Sequence, residues 1–257
     1  MIVRKSAAEV EKMAATGRLV AATIAHTGEH IEPGITTDEL DAIAEAFIRS
    51  HGGVPTSLGY RGYPKAICIS QNEVVVHGIP GSYTVRDGAL ITIDVGVTLD
   101  GFITDSAYTF AVGEIDTEAQ RLLDVGREAL AAGIAEARVG NRVGDISSAV
   151  QKLVEGNGFS VVRSLVGHGV GRAYHEDPHI PNFGEPGRGP VLSEGMTIAI
   201  EPMITAGGAE VVVHDDEWTI STEDGSLSCH FEHTVAITAE GPRILTLSGD
   251  REPSLLS

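Results

Sequence analysis

Apolar residues recur every three or four positions at Val10, Met13, Ala14, Gly17, Val20, Ala21 and Ile24, the spacing of one helical face. Ser6 and Glu9 just ahead of them read as a capping box. The same pattern returns where Thr36 and Glu39 open a stripe of Leu40, Ile43, Ala44, Phe47 and Ile48, closed by Gly52-Gly53. Two more helices are predicted downstream. One is capped by Thr117 with Gln120 and carries Leu123, Gly126, Leu130 and Ile134; the other carries Ile146, Ala149, Val150, Leu153 and Val154 and stops at Gly156-Asn157-Gly158. Elsewhere the period shortens to two, and strands are predicted over residues 66–69, 90–98, 102–110, 160–166, 196–201, 211–213, 218–221 and 228–238.

Setting Gly34 on Gly140, an offset of 106, also sets Leu40 on Ile146, Phe47 on Leu153, Ile48 on Val154 and Gly52 on Gly158. The chain therefore reads as duplicated, with halves of about 6–110 and 116–240 and a short tail at 247–257. No Gly/Ser linker or charged run divides it, so one domain over 1–257 is expected: α+β, with helices covering one face of a largely antiparallel sheet. Asp100-Gly101 suits a two-residue hairpin turn, in which paired residue numbers sum to 201. Asp94 then opposes Ala107 and Asp105 opposes Gly96, leaving the two aspartates on one face as diagonal neighbours about 7–8 Å apart at the backbone.

Composition narrows the class. A net charge of −18 and the lack of a basic run argue against direct DNA or RNA binding. No stretch is long and apolar enough to span a membrane, and Arg4 and Lys5 are followed by Glu9 and Glu11 rather than by a leader-like apolar core. Two cysteines, Cys68 and Cys229, are too few for a disulfide framework and fit a reducing cytoplasm.

The candidate chemistry is carried by acids on otherwise apolar strands. Asp94 alternates with Ile93 and Val95; Glu201 and Glu232 also fall on small-residue faces, and His168 lies in Gly167-His168-Gly169-Val170-Gly171, whose glycines leave space around it. Singly, Asp94 and Asp105 read as turn-side carboxylates, Glu201 and Glu232 as solvated strand charges and His168 as a loop histidine. Together, four carboxylates would repel and suffer desolvation unless cations neutralised them, and two divalent ions balance the charge. Carboxylates with an imidazole admit Mn, Fe, Co or Zn, and such a pair of ions supports metal-assisted hydrolysis.

With these residues placed, the sequence resembles the type I methionine aminopeptidases of the M24 metallopeptidase family over nearly its whole length. The resemblance runs from Gly59-Tyr60-Arg61-Gly62-Tyr63-Pro64-Lys65 through His77-Gly78-Ile79-Pro80, the Asp94 and Asp105 pair, His168 with His175, and Ile200-Glu201-Pro202-Met203 to Phe231-Glu232-His233-Thr234. It implies the duplicated pita-bread fold, with helices on a curved antiparallel sheet. It also implies two divalent metal ions held by Asp94, Asp105, His168, Glu201 and Glu232, with Asp105 and Glu232 bridging. His77 and His175 would contact the substrate, and Glu201 would help move the proton of the attacking water. Tyr60, Tyr63, Cys68, Tyr174 and Trp218 match the pocket for the methionine side chain. Three departures bear on pocket shape and rate: Tyr174 where Phe is frequent, Ser57 where some relatives carry Cys, and Leu165 where an aromatic is common.

The expected activity is removal of the initiator methionine from nascent chains whose second residue is small and uncharged. The expected form is the short bacterial type, a monomer; docking on the ribosome is left undetermined, and the acidic charge weighs against it. Two alternatives remain at this point. One is an Xaa-Pro-type aminopeptidase of the same fold, whose members usually carry an extra N-terminal domain that helices starting by residue 6 leave no room for; the other is an inactive module that keeps the fold to grip peptides.

Overall fold

The computed structural model describes residues 2–247, so nearly all of the expected tail at 247–257 lies outside the described residues. In chain order come α1 (Ala7–Gly28), α2 (Thr37–Ser50), β1 (Val54–Pro55), β2 (Cys68–Gln71), β3 (Val74–Val76), β4 (Leu90–Leu99) and β5 (Phe102–Ala111). The second part of the chain adds α3 (Thr117–Ala135), α4 (Val143–Gly156), β6 (Ser160–Val161), β7 (Val166–Gly169), β8 (Glu176–Pro181), β9 (Thr197–Ile200) and β10 (Met203–Thr205). It ends with β11 (Val211–Val213), β12 (Ile220–Thr222), β13 (Ser228–His230), β14 (His233–Thr238) and β15 (Gly241–Ile244).

Both predicted capping boxes form: the Ser6 and Thr36 side chains accept from the backbone N–H of Glu9 and Glu39, whose carboxylates return to the cap residues. The third helix differs from expectation. Its cap is Asp116, one residue earlier than Thr117, and the Asp116 carboxylate accepts from Ala119 N at 2.7 Å; an aspartate competes well for a cap. The offset of 106 holds in space. Residues 37–50 and 143–156 are helices of equal length, and the cap residues Thr36 and Arg142 each make an isolated antiparallel bridge, to Thr84 and Val191.

Each helix pair covers its own strands. Leu19, Val20 and Ile24 of α1 and Leu40, Ala44 and Ile48 of α2 bury against Ile91, Ile93, Val95 and Val97 of β4. Leu122, Leu130, Ile146, Val150 and Val154 of α3 and α4 bury against Ile198, Ile200, Val235 and Ile237 of β9 and β14. Each fully buried aliphatic side chain contributes about 1.5–3 kcal/mol, so these two layers hold the halves in shape.

All the ladders are antiparallel, but the strands form several small sheets rather than one: β4 pairs with β1, β2 and β5; β14 and β9 lie at the centre of β15-β14-β9-β7-β8; and β13-β10-β6 and β11-β12-β3 stand between. This corrects several strand boundaries. The segment 160–166 divides because β6 pairs with β10 while β7 joins β9 and β8. Likewise 228–238 divides at Phe231-Glu232, where the chain leaves β10 for β9 and β15. The segment 66–69 becomes Cys68–Gln71, in register with Asp94 to Ile91 of β4, and 218–221 becomes Ile220–Thr222. Strands β1, β3, β8, β10 and β15 are additions.

The hairpin register is as expected. Asp94 pairs with Ala107 and Gly96 with Asp105, and Asp100 and Gly101 both have positive φ (51° and 76°), as a mirror-image turn requires.

Glu9 fastens the N-terminus twice, accepting from Ser6 N at 2.8 Å and from the Arg172 guanidinium at 2.9 Å. The Ser6 backbone bond, then its hydroxyl and Arg172, hold the Glu9 carboxyl down to about 2. A depressed carboxyl stabilises the fold above its unfolded value, and that contribution disappears as pH falls through the folded value. Glu9→Gln should therefore be less stable than the native chain at pH 7, with the difference shrinking as pH falls from about 4.5 toward 2. Urea unfolding of both proteins at several pH values measures this.

Candidate metal centre and substrate cleft

The two halves meet where β5 faces the turn between β13 and β14. Thr234 Oγ1 accepts from Asp105 N (3.0 Å) and donates to Asp105 O (2.8 Å). Glu232 N donates to Ala107 O (2.9 Å), and Ser106 Oγ donates to Glu232 O (2.5 Å). Asp105 from one half and Glu232 from the other are thus fixed by their backbones on opposite sides of one seam. Glu201 also sits at a break: Pro202 has no N–H to continue the ladder, so the chain leaves the β9 sheet there and resumes as β10 in another. His168 lies within β7, and its Nδ1 faces Gly169 O at 2.9 Å, which places the ring proton on Nδ1 and leaves Nε2 for the acids.

Asp94, Asp105, His168, Glu201 and Glu232 all line one cleft of about 560 Å³. His168 Nε2 lies 3.5 Å from Glu201 Oε1 and 4.0 Å from Asp105 Oδ2. Ligand atoms of Asp105, His168 and Glu232 all fall within 4.8 Å of one another, close enough to hold one metal ion. Asp105 Oδ1 and Glu232 Oε1 are buried without any hydrogen-bond partner. An unpaired buried carboxylate oxygen is costly, and a cation is the partner that this donor set fits.

Electrostatics agree. Burial, reinforced by neighbouring carboxylates, raises the Asp94, Glu201 and Glu232 carboxyls well above the ordinary range, and burial raises Asp105 too. Burial lowers His168 to about 3 and keeps its lone pair free. The acids thus hold their protons more tightly than free carboxyls do, and an incoming cation competes with those protons.

The expected substrate residues surround this centre. His77 follows β3 with positive φ (58°), a strained conformation for a non-glycine residue that turns the chain at the cleft wall. Burial lowers it to about 4, with His175 adding to the shift. His175 receives a 2.9 Å contact at Nδ1 from Tyr60 Oη, and its ring lies 4.2 Å from that of His168. The turn carrying Tyr174 and His175 is held from behind: the Glu176 carboxylate accepts from Arg172 N, Ala173 N and the buried Lys5 ammonium (2.6 Å). Tyr63 donates its hydroxyl to Ile67 O and Gly78 O, and its ring stands edge-on to Trp218 at 5.0 Å. Tyr60, Cys68, Tyr174 and Trp218 complete the lining.

Two of the three departures explain each other. The buried Tyr174 hydroxyl, absent from phenylalanine, finds Ser57 Oγ at 3.1 Å. Leu165 lies on the cleft wall near Met203. Sequence reading missed His230, Met203, Val76, Arg61, Ser164 and Glu217, which also line the cleft. Parity could have found His230, two positions before Glu232 on the same predicted face.

The profile of metallopeptidase family M24 matches residues 11–239. The chain belongs to this family. It is 51% identical over 247 residues to a methionine aminopeptidase of Clostridium perfringens, covering 96% of this chain and 99% of that one. The crystal structure of methionine aminopeptidase from Rickettsia prowazekii superposes with a TM-score of 0.95 at 41% identity, over 96% of this M24 chain and all of the other. The prolidase of Pyrococcus horikoshii matches in fold alone, with a TM-score of 0.77 at 21% identity, and this chain spans 65% of its length. The duplicated pita-bread architecture and dependence on divalent metal follow from the family and the metal-capable cluster.

Because the four raised carboxyls hold protons that a divalent cation displaces, metal affinity should rise with pH, and uptake near pH 6 should release protons. Calorimetric titration of chelator-treated protein in buffers of different ionisation enthalpy counts them. No release would mean that the carboxyls are already ionised.

Proposed function

We infer that the chain is a methionine aminopeptidase that removes the initiator methionine from nascent proteins whose second residue is small and uncharged. The observation that carries this reading is the convergence of Asp94, Asp105, His168, Glu201 and Glu232 on one cleft, in a chain half identical to a protein of that name.

These five residues would hold two divalent ions, Co, Mn, Fe or Zn, with Asp105, His168 and Glu232 close enough to share one of them. Two such ions offset four carboxylates; when bound they polarise the scissile carbonyl and acidify a water. The remaining work belongs to the protein. Glu201 accepts the proton of the attacking water and returns it to the leaving amide nitrogen. His77 and His175, both lowered by desolvation and so neutral at pH 7, hydrogen-bond the substrate peptide without adding charge. Tyr60, Tyr63, Cys68, Tyr174 and Trp218 take the methionine side chain, aromatic faces and a thiol suiting a flexible thioether.

No helix among the described residues is long and apolar enough to cross a membrane, and free, buried Cys68 and Cys229 suit a reducing cytoplasm, where nascent chains are met. The Xaa-Pro alternative is not favoured, because its solved relatives share the fold alone. The inactive-module alternative leaves the orphaned carboxylate oxygens without a purpose.

Chelator-treated protein assayed on a Met-Ala-Ser peptide should release methionine only after Mn or Co is added. Absence of release in folded, metal-supplied protein would overturn the reading. Asp105→Ala and Glu232→Ala should each lose dinuclear binding and at least about a hundredfold in activity. His77→Ala should keep its metal and lose about 10²–10⁴ in kcat, and metal titration run beside the assay separates the two classes.

A further inference from the structure

One wall of the cleft carries an imidazole that no hydrogen bond explains. His230, the last residue of β13, is 1% exposed and lines the cleft, yet neither Nδ1 nor Nε2 has a hydrogen-bond partner. Its backbone is clamped at both ends by one hydroxyl: Thr109 Oγ1 accepts from His230 N (3.0 Å) and donates to His230 O (2.9 Å). The ring is therefore held at the cleft with an unsatisfied nitrogen, which is costly if nothing meets it.

What meets it is indicated by distance. His230 Nε2 lies 3.8 Å from Glu201 Oε2 and 3.9 Å from Glu232 Oε2, too far for hydrogen bonds. Two donors that share a cation at about 2.0–2.2 Å each stand roughly 2.8–4.4 Å apart, which includes both separations. His168 stands in the same relation to its own acids, 3.5 Å from Glu201 Oε1 and 4.0 Å from Asp105 Oδ2. Glu201 thus turns one oxygen toward each histidine.

We propose that His230 is a further nitrogen ligand of the metal centre, donating through Nε2 on the side of Glu201 and Glu232. This rests on the reading of the cleft as a metal centre. The ring proton then resides on Nδ1, and the centre holds two imidazoles, which favours Co, Zn or Fe over the more oxygen-seeking Mn.

X-ray absorption of the cobalt-loaded protein should count imidazoles from two histidines in the native chain and from one in His230→Leu and His230→Gln. Both variants should bind cobalt at least about tenfold more weakly by calorimetry while manganese binding changes less. The glutamine variant keeps a polar side chain and serves where the leucine variant does not fold. Native protein that takes up cobalt and releases methionine but shows one histidine ligand, or variants with undiminished cobalt affinity, would overturn this inference and leave the peptidase reading standing. Native protein that takes up no metal would overturn both.

Discussion

Three buried carboxyl groups and the half-buried Asp94 share one cleft, and most of the architecture around them serves to tolerate that. Desolvation and mutual repulsion push every one of these acids toward its protonated form. Side chains free to move would turn outward to water. They do not, because Asp105 and Glu232 are held by their backbones across the seam between the halves, Asp94 is fixed in the long β4–β5 ladder, and Glu201 sits where Pro202 ends a strand. The fold supplies the constraint, and divalent charge relieves it.

The two helix pairs explain how such a constraint is made rigid. Each pair packs on its own strands, so each half has an independent apolar layer, and the acids lie where these layers abut rather than inside either one. Strands that leave one small sheet and enter another place Glu201 and Glu232 at corners, where a side chain escapes the alternation of a regular ladder. Burial of aliphatic surface thereby fixes polar geometry at a distance.

Much of this was legible in the sequence. Capping boxes at Ser6 and Thr36, the offset of 106 and the 201 register of the β4–β5 hairpin are local or periodic signals, and the structure carries each of them. All five expected metal residues and all the expected substrate residues line one cleft. The division of 160–166 and 228–238 was not legible, because a strand that changes sheets keeps its apolar alternation while its partners change. The cap at Asp116 was displaced by a single residue because a threonine with a glutamine three positions on mimics a capping box. His230 shares a predicted face with Glu232, but its missing hydrogen-bond partners, which single it out, show only in the structure.

At the pocket wall the Tyr174 hydroxyl faces both Ser57 and the Asp105 carboxylate. Exchanging the tyrosine for a plain aromatic ring strands the Ser57 oxygen, whereas exchanging the serine leaves the hydroxyl the carboxylate it also faces. The dependence therefore runs one way: the serine needs the tyrosine, and a lineage with a plain aromatic ring there is released to refill the neighbouring site with something greasier.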